Sequence, residues 1–346
     1  MSAAGNAISA KSLAKYGKRL TPQNFRDMLA LTSVADIASY LRSRTRYADM
    51  FSDVKEQDIH RGILETLLHV KTYQDFASLA LFDRSVGEHF FEYLQAEEEI
   101  NQLLSFLRCY NAGHPEEYAK LFMIPEFFRR HSPIDSTRLS QVRNFNDLME
   151  VLRGTAFAEI LEPFRRDGNE PLDYTMISAA LDRFLLRRFF EGLGRYDRGA
   201  QDELRKLFSM KAELDNIRRI YRGKLYFASS PETLRARVIP YRLFLTRDQL
   251  ESMITADSPE GVIRVMQSTS YRPYFSQFEF RDIDDCASRI LYIRSRRLMR
   301  QSLHPSVVMA CCIMQFEAEI GDIINVIEGV RYHVPPENIQ KLLVTA

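Results

Sequence analysis

Two short helical signatures recur three times along this chain in the same order, and a chain built that way folds as several related helical modules. The first is an amphipathic helix that runs into Thr-x-aromatic. It is written Asp36 to Thr45-Arg46-Tyr47, Asp147 to Thr155-Ala156-Phe157, and Glu260 to Thr269-Ser270-Tyr271. The second follows some fifty to sixty residues later as Glu-(Ile/Leu)-x-x-(Leu/Ile): Glu99-Ile100-Asn101-Gln102-Leu103, Glu213-Leu214-Asp215-Asn216-Ile217 and Glu319-Ile320-Gly321-Asp322-Ile323. The period is about 110 residues, longer than the usual helical repeats. Arg108 and Arg222 stand at matching positions, nine residues beyond their glutamates. The expected modules are residues 1–115, 116–228 and 229–346.

The rest of the chain agrees with an all-α fold. Apolar residues recur every three or four positions at Phe25, Met28, Leu29 and at Ile320, Ile323, Ile324, Ile327, and no alternating strand pattern is comparably sustained. Thr21-Pro22, Ser230-Pro231-Glu232 and Ser258-Pro259-Glu260 read as helix starts, because a hydroxyl oxygen can accept from the free amides of a first turn. Thr246-Arg247-Asp248-Gln249 reads as a capping box. Breaks fall at Gly113-His114-Pro115 and Pro335-Pro336, with no low-complexity linker between modules. Three like units packed without linkers share interfaces, which predicts a pseudo-threefold body around a central hollow with two different ends.

Each repeated glutamate sits at the margin of an apolar stripe, Glu99 with Leu103, Phe106 and Tyr110, and Glu213 with Ile217 and Ile220. A buried carboxylate needs partners, so one reading has arginines or backbone amides satisfying Glu99, Glu213 and Glu319 inside the modules. The other has them lining the hollow and binding a stalk-like ligand. The basic residues are ten lysines and 37 arginines. Arginine forks suit ion-pair networks and protein interfaces better than loose polyanion binding. The candidate interface cations are Arg218, Arg219 and Arg222 near Glu213, together with Arg289, Arg296 and Arg300, which fall on one side of a helix.

Several chemistries are not written in the chain. Lys and Arg total 47 against 46 Asp and Glu, which removes the global basic excess of a nucleic-acid binder. No GxxxxGK[ST] loop occurs, Gly192-Leu193-Gly194 lacks a third glycine, and there is no HExxH or GxSxG. No cofactor, metal or catalytic residue is therefore assigned. The four cysteines show no CxxC spacing and read as reduced, mostly buried thiols. The opening residues lack the apolar core of a signal peptide. The longest apolar run, Val307 to Met314, is too short to span a bilayer, so a soluble cytosolic protein is expected.

Residues at both ends and in the centre carry a resemblance. Asn6-Ala7-Ile8-Ser9-Ala10-Lys11, Leu20-Thr21 with Phe25 and Met28-Leu29, Glu213 to Ile217 with Tyr221-Arg222-Gly223-Lys224, and Glu317-Ala318-Glu319 to Ile327-Glu328-Gly329-Val330-Arg331-Tyr332 resemble the C subunits of the bacterial and archaeal V/A-type rotary ATPases. The eukaryotic counterpart is the d subunit of the V-ATPase. The resemblance implies a funnel-shaped protein of three helical domains at the cytoplasmic face. It would join the D and F subunits of the central stalk to the proteolipid rotor ring, touch the membrane only through that ring and perform no chemistry. A helical adaptor unrelated to rotary machines, binding a peptide or helix in its hollow, is the competing expectation.

Overall fold

Local chemistry sets the helix starts. Thr21 accepts from the Asn24 amide and receives the Asn24 side chain on its own amide at 2.8 Å. Thr246 and Gln249 make the same reciprocal box at 2.9 Å. Ser33, Asn144, Ser230 and Ser258 cap further helices through their side chains. Each such cap stabilises its helix by about 1 kcal/mol.

The computed structural model describes residues 3–51, 61–118, 132–166, 170–276 and 280–345. Among these every regular element is helical and none is a strand. In chain order they are α1 (Ala3–Tyr16), α2 (Pro22–Leu29), α3 (Val34–Arg44), α4 (Arg61–Ala77), α5 (Ala80–Val86), α6 (Phe91–Asn111), α7 (Ser136–Leu139), α8 (Phe145–Val151) and α9 (Ala156–Leu161). There follow α10 (Tyr174–Gly192), α11 (Arg198–Phe227), α12 (Pro231–Arg237), α13 (Arg247–Thr255), α14 (Pro259–Gln267), α15 (Ile283–Gln301), α16 (Pro305–Arg331) and α17 (Pro336–Leu342).

The chain divides into two compact units. One comprises Met1–Gln95, Glu117–Ser132 and Tyr292–Ala346. Its axis is α16, packed against α1, α2, α3, α4 and α17. The run Val307 to Met314 is buried throughout, so it is the middle of a core helix. Phe25, Met28, Ile37, Leu41 and Phe51 meet Ile320, Ile323 and Ile327 in one core, which fastens the two chain ends together. Burying each of these side chains contributes about 1.5–3 kcal/mol.

The second unit comprises Ala96–Glu116 and Pro133–Leu291. Here α11 is the axis, with α12, α13 and α14 packed on it and α10 packed on α12 and α9. Phe189, Phe208, Leu204 and Ile217 are among its buried residues. Among the described residues no helix is long and apolar enough to cross a membrane.

Candidate functional site

The repeated glutamates of the two axis helices, Glu213 and Glu319, are buried and bonded by donors distant in sequence. Glu213, midway along α11, is 0% exposed. Its carboxylate accepts the amides of Leu243 (2.9 Å), Phe244 (3.1 Å) and Leu245 (2.9 Å) and the hydroxyl of Tyr271 (2.7 Å). These amides belong to the chain just before Thr246, so the carboxylate fixes where α13 starts. The threonine of Thr-x-aromatic directs the tyrosine inward. Thr269 Oγ1 donates to the Met266 carbonyl at 2.6 Å and accepts the Tyr271 amide at 3.2 Å. One turn beyond Glu213, buried Asn216 exchanges two 2.8 Å bonds with the backbone of Ile239 and holds the chain leaving α12.

The same arrangement appears on α16, with its partners at the other end of the chain. Glu319, 2% exposed, accepts the Leu20 amide at 2.7 Å, 299 residues away in sequence, and the Tyr47 hydroxyl at 2.6 Å. Thr45 repeats the role of Thr269, donating to Leu41 O at 2.7 Å and accepting Tyr47 N–H at 3.1 Å. Asp322 stands where Asn216 does and accepts the Val344 amide (2.7 Å) and the Thr345 amide and hydroxyl (both 2.6 Å). Glu319 also has Arg46 at 3.5 Å, whose guanidinium lies 3.8 Å over the Phe316 ring and pairs with Asp75. Burial pushes the Glu319 carboxyl and the Tyr47 phenol up. Burial works to raise Asp75 too, but Arg46, Lys71 and Lys15 outweigh it and hold its carboxyl down.

The copy on α6 departs from the other two. Glu99 is buried at 5% exposure, and Thr155 Oγ1 donates to Leu152 O at 2.7 Å as its counterparts do. The aromatic partner, however, is Phe157, which has no hydroxyl to offer. Beside Glu99, burial pushes the Glu98 carboxyl up to about 7, although Gln102 donates to it at 3.4 Å. Glu97 pairs with Lys211 at 2.8 Å.

A further shared feature escapes the sequence pattern. Helices α6, α11 and α16 each run into a residue of left-handed backbone, Gly113 (φ 81°), Ala228 (φ 42°) and His333 (φ 54°), and a proline follows within three residues. Ten residues past their glutamates, Gly223 and Gly329 let the next short helix approach. A Cβ on Gly223 would meet Leu234 at 2.6 Å, and one on Gly329 would collide with buried Ile339. The signal in sequence is glycine at a fixed offset, followed by Ser230-Pro231 in one copy and Pro335-Pro336 in the other.

The candidate arginines divide by what they touch. Arg218 bonds Asp215 (2.9 Å), the Asp284 carbonyl (3.2 Å) and Ser288 (2.8 Å). Arg219 pairs with Asp182, and Arg222, half-exposed, with Asp284 at 2.8 Å. None of the three bonds Glu213. On α15, Arg289 pairs with Asp285 at 2.7 Å and Arg296 sits 5.9 Å from the Tyr292 ring, while Arg300 is exposed. Arg108 is exposed and reaches Ser105 at 2.9 Å. No group of three or more His, Cys, Asp or Glu side chains among the described residues could hold a metal ion.

Two long helices, each bonded to distant backbone through a buried carboxylate, mark an all-helical protein, and the chain belongs to the ATP synthase (C/AC39) subunit family, which matches residues 8–342. It is similar to the C subunit of the A-type ATP synthase of Methanosphaera stadtmanae, 24% identical over 219 residues, 62% of this chain and 53% of that one. It is also similar to the C subunit of the A-type ATP synthase of Methanothermobacter thermautotrophicus, 22% identical over 273 residues, covering 78% and 67% of the two chains. The aligned part thus spans about half the length of the first relative and two thirds of the second.

Proposed function

We propose that the chain is a non-catalytic connector in the rotor of an A/V-type ATP synthase, joining the D and F subunits of the central stalk to the proteolipid ring and carrying torque between them. In this reading it is built of three helical modules around a hollow, it binds no nucleic acid, and its contact with the membrane at the cytoplasmic face runs through the ring. Family membership and the names of the relatives support the complex. The observation that carries the connector role is the tie from Glu319 to Leu20 and Tyr47. A part that transmits torque must not fray, and here the segment before α2 and the segment after α3 are both fastened to α16 by bonds to one buried carboxylate. Hydrogen bonds to a charged acceptor are about twice as strong as neutral ones.

Within this role Glu99, Glu213 and Glu319 are core polar groups. Arg108, Arg222 and Arg300, which reach solvent, are the interface cations, and Arg218, Arg219, Arg289 and Arg296 stiffen the helices behind them. The test is to mix the purified chain with the D and F proteins of its own source and separate by size exclusion. The connector reading expects a stable stoichiometric complex. An adaptor unrelated to rotary machines would elute alone.

A further inference from the structure

The near balance of charge over the whole chain hides an uneven distribution. No Asp or Glu occurs from Cys286 to Phe316, a stretch with five arginines, and none occurs in residues 1–26, which hold three lysines and two arginines. The fold brings these stretches together. Gln315 on α16 donates to the Tyr292 carbonyl (3.0 Å) and the Ser295 hydroxyl (2.7 Å), and the Cys312 and Met299 sulfurs stand 3.3 Å apart, so the second half of α15 lies on the acid-free half of α16. Helix α1, equally free of acids, packs on α16 as well.

The cations of α15 divide accordingly. Arg289, in its first half, is paired with Asp285 at 2.7 Å. In the second half Arg296 is drawn in beside the Tyr292 ring, and its Nε is enclosed without an acceptor. Arg297 and Arg300 are exposed and have no ion pair among the described residues. Asp322, whose charge reaches Tyr292, is 1% exposed and already taken by Val344 and Thr345. Ile293, Arg297 and Arg300 stand at i, i+4 and i+7, which makes them one outward stripe, while Ile290, Ser295 and Met299 are buried. Apolar side chains flank the arginines: Ile293 is 38% exposed and Leu303, just past the helix end, 73%. A cation in a last turn is favoured by the helix's own carbonyls, which accounts for one arginine. Two unpaired arginines between exposed apolar side chains have the composition of an interface.

We propose that the outer stripe of α15, formed by Ile293, Arg297, Arg300 and Leu303, docks an acidic amphipathic helix of a partner protein, its carboxylates on the two guanidinium groups and its apolar side chains on Ile293 and Leu303. Charge complementarity selects this class. Arginines one turn apart match Asp or Glu spaced by three or four on a facing helix, and each guanidinium fork can hold a carboxylate by two bonds. The chain's overall charge of +1 gives no broad field for a polyanion surface, whereas two short pairs need none. The inference rests on the connector reading only for the expectation that the helix belongs to the same ATP synthase.

The test introduces Arg297→Lys or Arg300→Lys into the full chain in source cells, which keeps the charge and places an amine on the stripe, with exposed Arg42→Lys as control. Gently lysed cells are treated with a carbodiimide, which joins an amine to a carboxylate within salt-bridge reach, and the products captured with this chain are mapped by mass spectrometry. A cross-link from 297 or 300 to Asp or Glu in a helical segment of another ATP synthase subunit is expected. A cross-link to an acidic helix of a protein outside the complex keeps the docking stripe and counts against the rotor reading. Cross-links only to this chain or a second copy of it, or labelling no stronger than at the control, overturn the docking stripe. In parallel, Arg297→Glu/Arg300→Glu should lower co-purification with the cross-linked partner ~tenfold or more at low salt with an unchanged thermal melt, and Arg297→Gln/Arg300→Gln should flatten the loss of binding with added salt. Flotation of the native chain with phosphatidylcholine vesicles containing phosphatidylglycerol, abolished by the Glu pair and unaccompanied by any protein cross-link, gives the stripe to lipid and overturns the proposal. Unchanged co-purification of the Glu pair, with the complex otherwise intact, removes the stripe from the interface and leaves the connector reading standing.

Discussion

Glu213 offers the sharpest perturbation, because its carboxylate accepts hydrogen bonds from four residues. Replacing it by alanine strips the acceptor from three backbone amides and the Tyr271 hydroxyl and leaves a cavity at a fully buried position. At about 1–3 kcal/mol for each of the four orphaned donors, the loss is about 4 kcal/mol or more, a large share of any domain's stability. Glu213→Gln is the more measurable change. Leu243 and Leu245 both donate to Oε2, whereas Tyr271 donates to Oε1. A glutamine with its oxygen at the Oε2 place keeps the amides, and the Tyr271 hydroxyl can turn to accept from Nε2. What is lost is the charge assistance, about 1–3 kcal/mol. Tyr271→Phe should cost about 1–2 kcal/mol and should couple to the glutamate. Once residue 213 is alanine, the tyrosine has nothing left to lose. Urea denaturation followed by far-UV circular dichroism gives the ranking, and hydrogen exchange at the Leu243 to Leu245 amides gives its location. A loss under about 1 kcal/mol for Glu213→Ala, or full additivity of Glu213→Ala with Tyr271→Phe, would refute the reasoning.

Other expected outcomes follow from the same geometry. Gly329→Ala should lower the melting temperature, by about 1–2 kcal/mol of stability, because Ile339 must move, whereas Ala at open Gly321 should be neutral or stabilising. Glu98, with its carboxyl at about 7 against the ordinary 4.5, binds more protons folded than unfolded, so stability falls as pH rises between those values and is level above. Glu98→Gln should remove that slope and raise stability at pH 8 by about 1–2 kcal/mol, allowing for solvent screening at this partly exposed site. Asp75, held low by Arg46, has the opposite sign: its contribution is present above its unfolded value of 3.8 and is lost as pH falls further, and Asp75→Asn should abolish that acid-side loss in a pH-dependent melt. Burial pushes the Cys286 and Cys312 thiols up to about 12, so both should resist thiol reagents in the native chain while the less buried Cys109 reacts first.

What could be read in advance was local. Thr21, Ser230, Thr246 and Ser258 cap helices as expected, since a cap needs only neighbouring residues. The repeat also pointed to the right side chains in two of its three copies: Tyr271 with Glu213 and Tyr47 with Glu319 are the two halves of one hydrogen-bonded unit, whereas Phe157 has no hydroxyl to give. What the pattern does not contain is which half meets which. Glu213 bonds residues that follow it, across residue 228, and Glu319 bonds residues from the chain's beginning. Nothing in a one-dimensional period distinguishes a module closed on itself from one closed on its neighbour. Asn216 and Asp322 were visible as polar residues after the acid, but their partners, Ile239 and Val344 to Thr345, carry no side-chain signal because the bonds run mainly through backbone. Arg218, Arg219 and Arg222 read in sequence as candidate interface cations because two of their partners, Asp284 and Asp182, lie far along the chain, 66 residues from Arg218 and 37 from Arg219.

Rotation of the chain itself is the property on which the functional account stands. A bead attached to an exposed surface cysteine of this protein, in ATP synthase immobilised through its catalytic head, should turn in one direction when ATP is added and stop when ATP is removed. A bead that stays fixed while the central stalk turns would contradict the account.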